Sequence, residues 1–400
     1  MSGNITRRGK QSWRLKFDID RDSVTNERRT RYITFKGTKR DAQLELARLV
    51  AENAAGTSIE PTKITVSDFL DRWHRDFAIA HVTPKTAERY RQLIKNQVAP
   101  HLGQVQIQKL RPVHLADLYA KLLKDGLAAR TVGHVHRVLH RALAHAGTWG
   151  VTPQNVAALV EPPKVQAEEI VILEKDQIAR LFEHVKGRTL YPILALALAT
   201  GTRRGELLAL RIKDFDPERR TLRIERSLEQ TKAGLRFKSP KTRHGKRTIS
   251  LPPSVAAELR AHLIKVQERR LLLGMGRASR DDLLFPRWDG QVRSPHWLTQ
   301  KFQQAMAALE IEGVTLHSLR HTHASQLIAS GMDILTISRR LGHGSPAITL
   351  TVYGHLIEGK DRQAAEVAEV NLSLLQTEGV GTSVGANWVP ISEIDAHKVQ

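Results

Sequence analysis

The segment His317-Ser-Leu-Arg320-His321-Thr-His323 is followed by Leu341-Gly-His343 and then by Tyr353. An arginine can grip phosphate oxygens with two parallel N–H groups. A tyrosine hydroxyl can attack phosphorus and stay attached to it as a covalent intermediate. Residues three or four apart on a helix share a face, so His317, Arg320 and His321 point together. Histidines four apart can also chelate zinc, but Arg320 on the same face would repel a dication, and no metal is expected. The chemistry suggested is the breaking of a phosphodiester through a bond between protein and nucleic acid.

Two earlier pieces add positive charge. In Thr200-Gly201-Thr202-Arg203-Arg-Gly-Glu206 an apolar helix breaks at the glycine, and Arg203 follows at a point from which it can reach a ligand. Taken alone, it reads more simply as a surface arginine at a helix end. Glu206 is placed to brace Arg203 or the next helix start. Pro240-Lys241-Thr-Arg-His-Gly-Lys is a basic turn between strand-like pieces. Lys241 could protonate a leaving oxygen, although a solvated basic hairpin explains this turn by itself. Gly342 and Gly344 mark a turn after a helix, and Tyr353 follows on a short Thr-rich, β-branched stretch. A tyrosine there is usually a packing residue whose hydroxyl finds a partner, the role assigned to Tyr32, Tyr90, Tyr119 and Tyr191.

The composition narrows the partner. The chain has 400 residues, enough for two or three domains, and a formal net charge of +21. That excess attracts polyanions, and neutralising phosphates releases counterions, so nucleic acid is the first partner to consider. A basic membrane-surface protein would need an amphipathic basic helix with an aromatic face, and none is evident. The absence of cysteine excludes disulfide scaffolds, thiolate zinc sites and cysteine nucleophiles. The opening residues lack the apolar core of a signal peptide, and the apolar run from Leu190 to Thr200 is too short to span a bilayer. The expectation is a soluble protein of a bacterial cytoplasm, associated with the nucleoid.

The elements that must position these residues are mainly helical, in an α+β fold. Residues 1–58 read as a three-stranded sheet plus a helix: Trp13-Arg-Leu-Lys-Phe-Asp-Ile and Arg31-Tyr-Ile-Thr-Phe-Lys alternate as half-buried strands do, and Thr38 can cap a helix running to Leu49. Arg14, Lys16, Arg29 and Arg31 decorate this sheet as candidate DNA contacts. Residues 64–160 read as a helical bundle with helices opening at Ser67, at Thr83-Pro84, at Val113 and at Ala129. Its basic side carries Lys85, Arg130, His134, Arg137 and Arg141, opposite Val132, Val135, Leu139, Ala142 and Leu143. Residues 168–375 hold the chemistry, with helices from Leu173, Leu190, Gly205, Ser254, Trp297, Ser318 and Asp333 and a small antiparallel sheet built from pieces near Thr221, Leu235 and Arg247. Residues 376–400 are weakly patterned and read as a mobile tail.

The arginine turn, hairpin lysine, His-x-x-Arg-His helix, Leu-Gly-His turn and final tyrosine, in this order, resemble the tyrosine recombinases, or phage-type integrases. The resemblance covers residues 168–375 strongly, extends to the helical segment as a core-site-binding domain, and reaches the opening sheet, more weakly, as an arm-site-binding domain. It implies a C-shaped clamp on duplex DNA formed by the helical and catalytic domains. It also implies six catalytic residues: Arg203 and Arg320 holding the phosphate, Lys241 as general acid, His317 accepting the phenolic proton or orienting the nucleophile, His343 bonding the phosphate, and Tyr353 as the nucleophile that leaves a 3′-phosphotyrosine and a free 5′-hydroxyl. Glu206 and His321 are supports. Two nearby guanidinium groups are expected to favour the phenolate. No cofactor is expected, because one ester replaces another. The implied partners are attachment-site DNA, a homotetramer on that DNA with contacts from Asp361 to Leu375, and accessory bending or excision proteins. A DNA-binding regulator without cleavage and a DNA-relaxing enzyme of the type IB topoisomerase kind are the rivals.

Overall fold

The computed structural model describes residues 3–19, 29–54, 61–166, 170–240, 245–354, 365–366 and 368–369. The chain divides into two compact units, Met1–Glu169 with Gln230–Gly234, and Ile170–Glu229 with Leu235–Gln400.

The first unit opens with an antiparallel sheet of β1 (Gly3–Gly9), β2 (Ser12–Ile19) and β3 (Arg29–Lys36), followed by α1 (Lys39–Ala54). Alternation along β2 sends Leu15 and Phe17 into a small core with Ala42 and Leu49 of α1. The turn into α1 is fixed by Thr38, whose hydroxyl accepts from the Asp41 backbone N–H at 3.2 Å.

Next comes α2 (Val66–Trp73), which continues through a π-helical turn, His74–Ala78, into α3 (Ile79–His81). Thr65 and Asp68 form a reciprocal capping box at its start. A second helix repeats the pattern, from α4 (Pro84–Leu93) through a π turn, Ile94–Val98, into α5 (Ala99–Leu102). Thr83 stands at the expected cap of α4, but its hydroxyl pairs with that of Thr86 at 2.9 Å and makes no backbone cap. α6 (Pro112–Lys124) and α7 (Ala129–Thr148) complete the bundle around Phe69, Trp73, Leu115, Leu122, Leu139 and Leu143.

The second unit holds α8 (Lys175–Val185), α9 (Leu190–Thr200) and the single turn α10 (Arg204–Leu207). Strands β4 (Phe215–Asp216), β5 (Thr221–Ile224), β6 (Ser227–Thr231), β7 (Gly234–Lys238) and β8 (Arg247–Ser250) follow, with the Gln230–Gly234 end of β6 and β7 counted in the first unit. They pair as a sheet in the order β4-β5-β8 and as a two-stranded β6-β7 ribbon; β4 and β6 were not anticipated. Then come α11 (Pro253–Leu272), α12 (Pro295–Ala308), α13 (Ser318–Ala329), α14 (Ile334–Leu341) and α15 (Pro346–Tyr353). α9 is apolar nearly all round because it runs through the core, with Ile193, Leu194 and Leu196 fully buried.

The stretch carrying Tyr353 is a helix although it is rich in β-branched residues. Ser345 accepts from the Ala347 N–H at 3.2 Å and Pro346 occupies the first turn, and these start signals outweigh propensity penalties of only about 0.5 kcal/mol per residue. Among the described residues no helix is long and apolar enough to cross a membrane. The expected interprotomer segment, Asp361 to Leu375, lies outside the described residues except for residues 365–366 and 368–369, which are helical, and the tail 376–400 lies wholly outside them.

Candidate active site

α13 places the central residues. His317 is its N-cap, and Arg320 and His321 follow in the first turn. Arg320 is 3% exposed, yet carbonyls rather than a carboxylate hold its guanidinium. Its Nη1 donates to Gly201 O at 2.6 Å and its Nη2 to Leu341 O at 2.9 Å. Gly201 caps α9 and Leu341 ends α14, so the cation sits between the negative ends of two helices. Burial, and then repulsion from Arg203, lowers its pKa to about 9; the group stays charged at neutral pH.

Arg203 is the N-cap of α10, where its backbone N–H donates to Glu206 Oε2 at 3.0 Å and its Nη1 to Oε1 at 3.0 Å. Its Nη2 reaches Gly342 O at 3.1 Å. Glu206 is buried and also pairs with Arg247 of β8 at 2.9 Å. Burial alone would raise the Glu206 carboxyl, but Arg247 and Arg203 together hold it below the usual range. Glu206 thus braces two arginines, one of which, Arg247, was not singled out from the sequence. A signal existed: Arg247 shares a strand face with buried Ile249, and a charge on the inward face of a strand needs a buried partner.

His343 follows the left-handed Gly342 that closes α14. Its Nδ1 lies 2.8 Å from the Thr349 hydroxyl. Partial burial, then Arg320, Arg203 and Arg247, lower its pKa to about 4. His317 keeps one side toward solvent, but the surrounding protein and then His321, Arg320 and Arg203 lower it likewise to about 4. Both are neutral at physiological pH and can donate an N–H to a phosphate oxygen.

Tyr353 ends α15 and is 1% exposed. Its phenol meets His321 Nδ1 at 2.8 Å. The His317 ring stands perpendicular to that of His321, with centroids 4.7 Å apart. His321, expected to be a support, is therefore the residue on the Tyr353 hydroxyl, and His317 is one ring further away. The expectation that two arginines favour the phenolate is corrected: burial raises the Tyr353 pKa, and attraction to Arg320 offsets this only in part. Lys241 lies outside the described residues. Its neighbour Lys238 is committed to an ion pair with buried Glu229.

The candidate DNA contacts separate by geometry. Arg14 and Lys16 sit on the face of the opening sheet away from α1, each about a ring's reach from Tyr32, at 5.8 and 5.9 Å. Tyr32 is 57% exposed there and not packed as expected. Arg31 instead pairs in register with Phe17, on the face that α1 covers. Arg29 pairs with Ile19, and its side chain lies outside the described ones. Lys85 and the α7 residues Arg130, His134 and Arg137 are exposed. Arg137 donates to His134 Nδ1 at 2.7 Å, and Arg89 of α4 joins this cluster, lowering the His134 pKa after burial has done so first. Arg141 turns toward Tyr90, donating to its hydroxyl at 3.3 Å.

Comparison with known proteins matches the same regions. Residues 172–359 fit the phage integrase family, and residues 65–123 fit the phage integrase N-terminal SAM-like domain. A XerC-like tyrosine recombinase of Caldanaerobacter subterraneus subsp. tengcongensis is 26% identical over 386 residues, spanning 91% of this chain and 97% of that protein. Among solved structures, the Tn1549 transposon integrase in complex with a circular intermediate DNA superposes with a TM-score of 0.65 at 20% identity, over 77% of this chain and 99% of that one. A lambda integrase dimer bound to a COC′ core site superposes with a TM-score of 0.56 at 18% identity, over 90% of this chain and 95% of that one.

Proposed function

Because the chain belongs to the phage integrase family, we propose that it is a site-specific DNA recombinase that breaks and rejoins strands of a mobile element through a 3′-phosphotyrosine. The observation that carries this reading is the convergence on one helix end. Arg320 and Arg203 donate to the successive carbonyls of Leu341 and Gly342, His343 follows directly, and the Tyr353 hydroxyl lies within electrostatic reach of Arg320.

Arg203, Arg247 and Arg320 face one carboxylate, Glu206, which leaves two uncompensated positive charges in the pocket. A phosphodiester brings one negative charge, and attack by an oxygen builds a second on the equatorial oxygens, so the pocket matches the transition state better than the ground state. Tyr353 Oη forms the new bond to phosphorus while its proton passes to His321 Nδ1. The bond from phosphorus to the 5′ oxygen breaks, and Lys241 supplies the proton that oxygen takes. His317 and His343 donate hydrogen bonds to the phosphate. Attack by a different 5′-hydroxyl reverses the step and exchanges strands, with no energy source beyond the ester itself.

Residues 168–375 carry this chemistry in the proposal, residues 64–160 bind the core site, and residues 1–58 bind an arm site through the Arg14–Lys16–Tyr32 face. Two duplexes exchange four strands, so four copies act together on DNA, with the segment from Asp361 to Leu375 as their contact and bending or excision proteins as accessories. The place of action is the DNA of the bacterial cytoplasm. In the test, the full chain is incubated with fragmented DNA carrying the element, and covalently bound strands are recovered and sequenced. Defined junctions should be attached to Tyr353 and absent from Tyr353→Phe; adduct at another side chain, or relaxation of any plasmid without a defined site, rejects the assignment.

A further inference from the structure

Three consecutive carbonyls at the end of α14 accept from three different arginines. Arg340 O takes Arg247 Nε at 2.7 Å, Leu341 O takes Arg320 Nη2 at 2.9 Å, and Gly342 O takes Arg203 Nη2 at 3.1 Å. The donors come from β8, from α13 and from the turn between α9 and α10. The last carbonyls of a helix lack intrahelical partners and carry its negative partial charge. One helix end therefore gathers three guanidinium groups that would otherwise repel one another.

What fixes that helix end is the side chain of Arg340. Its Nε donates to His323 Nε2 at 3.0 Å, and its Nη2 donates to Ala199 O at 2.9 Å and Ser250 O at 3.2 Å. These anchors lie in α13, which carries Arg320, at the end of β8, which carries Arg247, and at the end of α9, just before the turn that carries Arg203. His323 is 6% exposed and makes a backbone hydrogen bond to Leu198. Burial, then Arg340 and Arg320, keep it neutral with a pKa of about 4, so Nε2 offers a lone pair. The packing leaves little slack. Gly342 has φ 67°, and a Cβ there would lie 2.7 Å from Arg247 Nη1. Gly201 has φ 62°, and its Cβ would lie 2.6 Å from Leu341 and 2.9 Å from the His323 ring.

We propose that Arg340 and His323 are positioning residues: the bond from Arg340 Nε to His323 Nε2 locks the end of α14, whose carbonyls then set the spacing of the phosphate-holding Arg203 and Arg320. A neutral acceptor suits this place. A carboxylate would hold Arg340 as well but would cancel positive charge that the phosphate needs. The proposal rests on the reading of Arg203 and Arg320 as the phosphate clamp.

The test uses the full chain and the core duplex recovered by covalent capture with the wild type. Single-turnover capture is measured at saturating protein, and duplex affinity separately. His323→Phe keeps a ring but removes the acceptor, and Arg340→Met removes the donor. Each should slow capture by about 10- to 100-fold, the scale of loss from roughly 1 Å of misplacement, with affinity changed less than about twofold. His323→Gln places an amide oxygen near Nε2 and should regain most of the rate, and the double variant His323→Phe, Arg340→Met should be no slower than the slower single one. Unchanged rates in both single variants, a loss confined to affinity, or His323→Gln as slow as His323→Phe overturns the proposal. Should His323→Phe fail to fold, Arg340→Met against His323→Gln carries the same comparison. If Arg203→Ala captures DNA as the wild type does, the clamp reading fails and this proposal with it. If Arg203→Ala is inactive while His323→Phe and Arg340→Met are unimpaired, only this proposal fails.

Discussion

The Tyr353 hydroxyl lies 2.8 Å from His321 Nδ1 inside a pocket that leaves the tyrosine 1% exposed. In the proposed reaction the attacking group thus rests as a protonated phenol bonded to a neutral imidazole. That pair can move a proton without first making a free phenolate, which burial disfavours. His321→Phe should slow capture of DNA by about 100-fold or more, in the range expected for a positioned base. His317→Phe should cost less, since it removes only a hydrogen bond to the phosphate. Burial, then Arg320, lowers the His321 pKa, so the acid limb of the pH–rate profile should fall below the ordinary histidine value of about 6.5. Equal losses in the two variants, or a limb above that value, would return the role to His317.

Folded-state stability should also depend on these histidines. His317, His323 and His343 are each lowered to about 4 in the fold, against about 6.5 in an unfolded chain. Between those values the unfolded chain binds more protons, so stability is fully present above the upper value and is lost as pH falls toward the lower one. The melting midpoint should drop as pH is lowered through this window, with these three histidines alone contributing up to about three of the protons taken up on unfolding near its middle. A midpoint that stays level from about pH 7 to pH 5 would contradict these environments.

Much of this site was legible in the sequence, because a phosphate-transfer chemistry needs cations and a nucleophile of fixed types at fixed spacing. Arg203, Arg320, His343 and Tyr353 could be picked out before any fold was known. The supports were harder. Arg247, Arg340 and His323 act through backbone carbonyls and through one another, and a carbonyl leaves no mark on residue identity. Which of His317 and His321 meets the Tyr353 hydroxyl turned on which step of α13 faces α15, which depends on packing between helices. The helix carrying Tyr353 was hidden by its β-branched residues, although Ser345-Pro346 is a helix start in plain sight. The sheet showed the converse: the alternation of β2 was readable, but the face on which Arg31 stands depends on the antiparallel register that pairs it with Phe17.

Glu206 carries the balance of charge. It is buried and bonded to both Arg203 and Arg247, and the Arg247 side chain is 6% exposed. Glu206→Gln keeps the shape but leaves buried guanidinium charge without its partner, which should cost about 3–5 kcal/mol. Denaturant unfolding reads this directly, and an unchanged midpoint would mean that the carbonyls alone hold these arginines.

The open face of the first sheet offers a test of its own. Arg14 and Lys16 flank exposed Tyr32, whereas Arg31 stands on the covered side in register with Phe17. Removing Arg14 and Lys16 together should weaken binding to duplex DNA and flatten the log affinity against log salt slope by about two, because each cation withdrawn leaves one phosphate to its own counterion. Arg31→Ala should leave that slope nearly as it was. The opposite ranking would place DNA on the other face.

Lys241 tests the leaving-group half of the reaction. β7 ends at Lys238, which Glu229 already holds as an ion pair, and Lys241, the proposed proton donor, is the next lysine along the chain. A 5′ alkoxide is a poor leaving group and needs a proton as the bond to phosphorus breaks, whereas a 5′ thiolate leaves without one. Lys241→Ala should therefore slow cleavage of an ordinary phosphodiester by about 100-fold or more and leave cleavage of a 5′-bridging phosphorothiolate near the wild-type rate. A deeper defect on the sulfur substrate would mean that Lys241 holds the phosphate instead of protonating the departing strand.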